Sequence, residues 1–146
     1  MIGARAATEL VRSVLSEEIG VAEIEEAQDG VWFRVGSAIV YVFIHEQADQ
    51  DRTLIDIRAP VAGGVPLAPA LYEHVALEGS RWLFGHLSVV PGEDERCEVV
   101  MRHTLLADHV DRHALAAAVA LIARTVDEID DDFVREFGGR LAFPRE

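Results

Sequence analysis

Two β-branched and aromatic runs, residues 31–35 and 38–45, are separated by only Gly36 and Ser37. A two-residue gap that opens on Gly specifies a tight β-hairpin turn, and the turn fixes the register of its strands. Val35 then faces Ala38, Phe33 faces Val40 and Val31 faces Val42, so one side of the hairpin is wholly apolar. The other side carries Trp32 opposite Tyr41 and Arg34 opposite Ile39, with Phe43 and His45 further along. Asp56 and Arg58 continue that side on a third strand, residues 53–59, which Pro60 is expected to stop. A solvated sheet face is mostly polar, so Trp32, Ile39, Tyr41 and Phe43 together indicate a surface that meets something. Its cover is either helix two or the long loop of the same chain, or a dimer or partner interface.

The remaining pattern surrounds this meander with helices. Ala7, Leu10, Val11, Val14 and Leu15 recur at helical spacing between residues 4 and 19, ahead of Gly20. Residues 61–68 are rich in Gly and Pro and read as a crossing loop, and Pro69 suits the first turn of a short second helix ending near Gly79. Two further strands, residues 83–90 and 98–104, flank a turn-prone loop. Asp111 can cap a long third helix on which Leu115, Ala118, Val119, Ile122, Val126, Ile129, Phe133 and Phe137 share one side, before Gly138 and Gly139. The order is α-β-β-β-α-β-β-α in a single α+β domain spanning residues 1–146, an antiparallel sheet with helices one and three on its apolar face.

Composition and charge remove whole classes of function. At 146 residues with half of them apolar, the chain can bury a self-sufficient core without a metal or disulfide staple. The only cysteine, Cys97, can neither bridge internally nor build a Cys-based zinc cluster, which fits a reduced, cytoplasmic setting. No signal-peptide run or membrane-length apolar stretch is present. Thirteen basic against 26 acidic residues give a formal charge of -13, a field that repels nucleic acid and anionic lipid. Every basic residue is Arg, so Schiff-base lysine chemistry and a Walker-type phosphate loop are excluded for want of the amine.

No reaction-naming motif stands in the sequence: HExxH, GxSxG, GxGxxG and the calcium-loop pattern are all absent. His109 and His113 lie four apart beside Asp108 and Asp111, but a capping Asp111 leaves His109 outside the helix, so a metal site is not expected there. The acidic run Asp127, Glu128, Asp130, Asp131, Asp132 and Glu136 is expected on the solvated arc of helix three, not as a cation cage. We expect no cofactor, no metal and no catalytic residue.

A set of strings, in order, adds a resemblance. Gly36-Ser37-Ala38-Ile39-Val40-Tyr41-Val42, Arg58-Ala59-Pro60-Val61, Ala70-Leu71-Tyr72-Glu73, Leu83-Phe84-Gly85, His103-Thr104-Leu105 with Ala107-Asp108, Asp127-Glu128-Ile129-Asp130-Asp131 and Phe137-Gly138-Gly139 resemble the YbjN-like family. That family is grouped with type III secretion chaperones in a peptide-binding chaperone-like superfamily. The resemblance implies homodimerisation through the second helix and the neighbouring sheet, capture of extended or partly folded segments of partner proteins, and no catalysis. Expected interface residues are therefore Trp32, Ile39, Tyr41 and Phe43 on the sheet and Leu71, Tyr72 and Val75 on the second helix. Because the family also holds proteins described as sensory transduction regulators, a regulatory accessory protein without chaperone activity is the alternative expectation. A small metal-dependent enzyme is a remote third.

Overall fold

The computed structural model describes residues 1–142. Helix α1 spans Ala4–Val14 and runs into a π-helical turn, Leu15–Ile19, closed by Gly20 at φ +82°. Strands β1 (Glu25–Ala27), β2 (Gly30–Val35) and β3 (Ala38–Gln47) precede a short 3-10 turn and the long strand β4 (Arg52–Pro66). Helix α2 (Pro69–Glu78), strands β5 (His86–Pro91) and β6 (Arg96–Leu106), and helix α3 (Arg112–Phe137) complete the order. The cap of α3 is as expected: the Asp111 carboxylate accepts the His113 backbone N–H at 3.2 Å.

All six strands form one antiparallel sheet in the order β1-β2-β3-β4-β6-β5. The hairpin register is the expected one, with Val31 opposite Val42, Trp32 opposite Tyr41, Phe33 opposite Val40 and Val35 opposite Ala38. Side chains alternate across the sheet. On the inner face Val31, Phe33, Val40, Val42, Ile55 and Ile57 are buried together with Val11, Val14, Ile122 and Val126 of the helices. Helix α2 lies on the same side: Leu71 is in that core, His74 packs edge-on against Phe133 of α3, and Gly79 sits against Leu87. Among the described residues all three helices therefore cover one face, and the outer face has no helix over it.

Several expectations need correcting. Pro60 does not stop β4, and residues 61–66 are strand, not crossing loop. The last β3 partner along β4 is Arg58; from Pro60 onward β4 pairs with β6 on one flank, and on the other only Gly63 is bridged, exchanging two backbone hydrogen bonds with Arg140. A residue without an N–H is tolerated at such an edge, and the ladder absorbs the Pro and Gly residues through irregularities between Pro60 and Ala62 and between Ala62 and Val65. Strand β1 was not expected, and β5 begins at His86, not at residue 83. Val35, expected with the apolar face, is at the tip of β2 and 37% exposed.

The acidic arc of α3 is also not uniformly solvated. Asp130 is 1% exposed, and Asp127 accepts the Ser37 backbone N–H at 3.0 Å. The buried Ser37 hydroxyl lies within hydrogen-bonding reach of both carboxylates. These two acids hold the β2–β3 turn onto the helix. Gly36 makes the approach possible: its φ is +58°, and a Cβ there would come within 2.3 Å of the Asp127 carboxylate.

Candidate functional site

The outer face is built by strand alternation, and its centre is a row crossing five strands: Trp32, Tyr41, Arg58, Arg102 and His86. The next row places Phe43 beside Asp56 and Thr104. Tyr41 and Phe43 stack with centroids 5.6 Å apart and planes 7° apart, and Trp32 tilts onto Tyr41 at 6.4 Å. His45 continues the run at 6.3 Å from Phe43. Two-residue spacing along β3 puts Ile39, Tyr41, Phe43 and His45 on this face, and pairing with β2 adds Trp32. Ile39, Trp32, Tyr41 and Phe43 are each partly exposed, their flanks covered by one another and not by a helix.

Charge at the centre of the face is organised around Asp56, whose side chain is only 4% exposed. Arg58 donates to its Oδ2 from Nε at 2.8 Å, and its Nη2 lies 2.7 Å from the same oxygen. Arg102 Nη2 donates to Oδ2 as well, at 3.3 Å, and His45 Nε2 is 3.9 Å away. Both guanidinium groups thus converge on one oxygen, while Asp56 Oδ1 and Arg102 Nε are buried without a hydrogen-bond partner. The Arg58 guanidinium also lies 5.5 Å from the Phe43 ring centre, a cation–π contact joining the charged and aromatic halves of the face. A depression of about 290 Å³ opens between Phe43, His45 and Arg58, with Gln28 and Asp29 at its rim.

The second helix behaves differently from expectation. Leu71 is wholly inside the core and is removed from the candidate interface, while Tyr72 is 48% exposed and Val75 is half-buried against the core. Another groove, about 850 Å³, runs along β2 between Trp32, Arg34 and Val35 and the segment from Ile19 to Glu25.

Two titratable side chains on β6 have shifted protonation equilibria. Burial, with Glu98 adding to it, pushes the Cys97 thiol up, which keeps it protonated and inert. Burial and, to a lesser degree, His86 push His103 down, and its Nδ1 accepts the Gly85 N–H at 3.3 Å with Phe84 edge-on at 5.3 Å. It is a neutral structural histidine. His113 sits 3.7 Å from Glu18, and His109 occupies a left-handed turn before the cap. Among the described residues no three His, Cys, Asp or Glu side chains come together in a metal-holding group. None of the described helices is long and apolar enough to cross a membrane.

Comparison with known proteins places this architecture. No curated protein sequence matches the chain. Among solved structures, the type III secretion chaperone SycH of Yersinia pestis, in complex with a stable fragment of YscM2, superposes with a TM-score of 0.55 at 15% identity, over 82% of this chain and 96% of that one. The ExsC–ExsE complex gives 0.54 at 15% identity, over 85% and 93%. YbjN from E. coli gives 0.59 at 13% identity, over 93% and 95%. At such identities these likenesses concern the fold, which is that of the type III secretion chaperones and YbjN. The family model described as "T3SS (YopN, CesT) and YbjN peptide-binding chaperone 1" matches residues 5–145, and the chain belongs to that family.

Proposed function

We propose that the chain is a non-enzymatic module that binds an extended or partly folded segment of a partner protein, works as a homodimer and escorts that partner in the cytoplasm. The observation that carries this reading is the one-sided construction: three helices on the inner face, and an outer face that bears Trp32, Ile39, Tyr41 and Phe43. Large aromatic groups in a partly open patch are the usual anchors where an interface excludes water. Membership of a peptide-binding chaperone family supports the same conclusion. So do SycH and ExsC, each solved together with a protein partner. Tyr72 and Val75 on α2 form the second contact surface of this reading. The single buried cysteine supports a reducing compartment.

Selective damage tests it. Trp32→Ala and Tyr41→Ala should weaken self-association or partner binding by roughly 1–3 kcal/mol, as interface anchors do, with the circular dichroism spectrum unchanged. Unfolding of both variants would place the rings in the core. Normal folding and normal binding would move the interface to Tyr72 and Val75. A partner that is bound but not kept from aggregating would make the chain a regulatory accessory protein.

A further inference from the structure

Resting on the reading of the outer face as the docking surface, we infer that this face selects an acidic, aromatic-bearing segment of a partner protein: a carboxylate of the segment meets the Arg58–Arg102 pair, and an aromatic side chain enters the depression beside Phe43.

Three observations converge. Two arginines stand directly opposite each other on β4 and β6 with a single carboxylate, Asp56, between them, so the cluster of Arg58, Arg102 and Asp56 carries a net positive charge. Asp56 supplies a single oxygen to both, and Arg58 and Arg102 remain 40% and 35% exposed with part of each guanidinium uncommitted. Beside them lies the open depression of about 290 Å³ walled by Phe43 and the Arg58 guanidinium, with room for an aromatic ring. Carboxylates and guanidinium groups pair with charge-assisted, often bidentate geometry, so the free donors specify the sign of what docks.

The distribution of charge points the same way. Outward strand positions carry five of the thirteen arginines against Glu25, Asp56 and Glu98, with Asp29 added at the rim of the depression, among the described residues. The face is therefore net positive on a chain of net charge -13. Screening over about 8 Å at physiological salt lets this local excess, not the distant acidic helix surface, act on a bound segment. A second copy docking through its own outer face would set arginine against arginine, which disfavours that occupant.

The test uses the full chain and short fluorescein-labelled peptides carrying phenylalanine and glutamate, with counterparts in which glutamine or lysine replaces every glutamate. Fluorescence anisotropy should show the glutamate peptide binding about tenfold more tightly than the glutamine peptide, and the lysine peptide weakest. Arg58→Gln and Arg102→Gln should each erase most of that preference, whereas Trp32→Ala should weaken the glutamate and glutamine peptides alike. The comparison of peptides on the unaltered chain stands even if a variant fails to fold. Equal binding of glutamate and glutamine peptides, both sensitive to Trp32→Ala, overturns the acidic preference and leaves the docking face intact. Preference for the lysine peptide overturns it in favour of the acidic helix surface. If no peptide binds and Trp32→Ala converts a dimer to monomer, the occupant is a second copy and the inference is wrong. If no peptide binds and Trp32→Ala changes nothing, the docking-face reading falls with it.

Discussion

Asp108 sits where three stretches of chain meet. Its Oδ1 accepts the Ile2 backbone N–H at 2.6 Å and its Oδ2 the Thr53 N–H at 3.0 Å, tying the start of the chain and the start of β4 to the loop ahead of α3. Those two backbone donors, Thr53 first, hold its carboxyl below the usual carboxylate range. As acid is added, the unfolded chain takes up this proton first, so the stabilisation is complete above about pH 5 and is lost as pH falls through the folded-state value. Denaturant unfolding followed from pH 5 downward should thus show a steeper loss for the natural chain than for Asp108→Asn, which cannot ionise there. Parallel curves would mean that the two hydrogen bonds do not distinguish the protonation states.

At the scale of elements, α3 carries the inner core. Phe133 is 5% exposed and packs its ring 4.8 Å from Phe137 and 5.8 Å from His74 of α2. Phe133→Ala should cost about 3–5 kcal/mol of unfolding free energy, the range for a buried Phe whose cavity does not collapse. A loss under about 1 kcal/mol in urea titration would show that the α2–α3 contact is loose. This helix and the β2–β3 hairpin were legible in the sequence because each has a strong period of its own and a marked end, Asp111 and Gly138 for one and Gly36-Ser37 for the other. Strand β1 was not: Glu25-Glu26-Ala27 has no apolar alternation and is strand only because β2 offers it a ladder. The far half of β4 was hidden by Pro60, Gly63 and Gly64, breakers whose effect depends on which neighbour has already stopped pairing. Leu71 was misplaced because α2 has no sharply apolar side from which its orientation can be read. The aromatic half of the candidate site followed from hairpin register, a local property. Its charged half, Asp56 with Arg102, needed the pairing of β4 with β6 across 46 residues of sequence, which no local signal supplies.

For the whole molecule, the homodimer of the proposed function is expected to form through Tyr72 and Val75 on α2, which leaves the aromatic sheet face of the 16.1 kDa chain to a partner. Light scattering at micromolar concentration should report twice that mass, and the melting temperature should rise with protein concentration, as linkage requires when only the folded state associates. A monomer across that range would remove the homodimer from the proposed function. The strand order has a second consequence, for how the molecule opens. Strand β4 is laced to β3 along one flank and to β6 along the other, whereas β1 and β5 each hang by a single ladder at the rims. Amide protons of Ile55 and Ile57 can therefore exchange with solvent only when an interior ladder of the sheet opens, while those of the three-residue β1 escape by fraying at the rim. The sheet comes apart from its rims inward, and the strand that holds Asp56 and Arg58 is the last to release its grip.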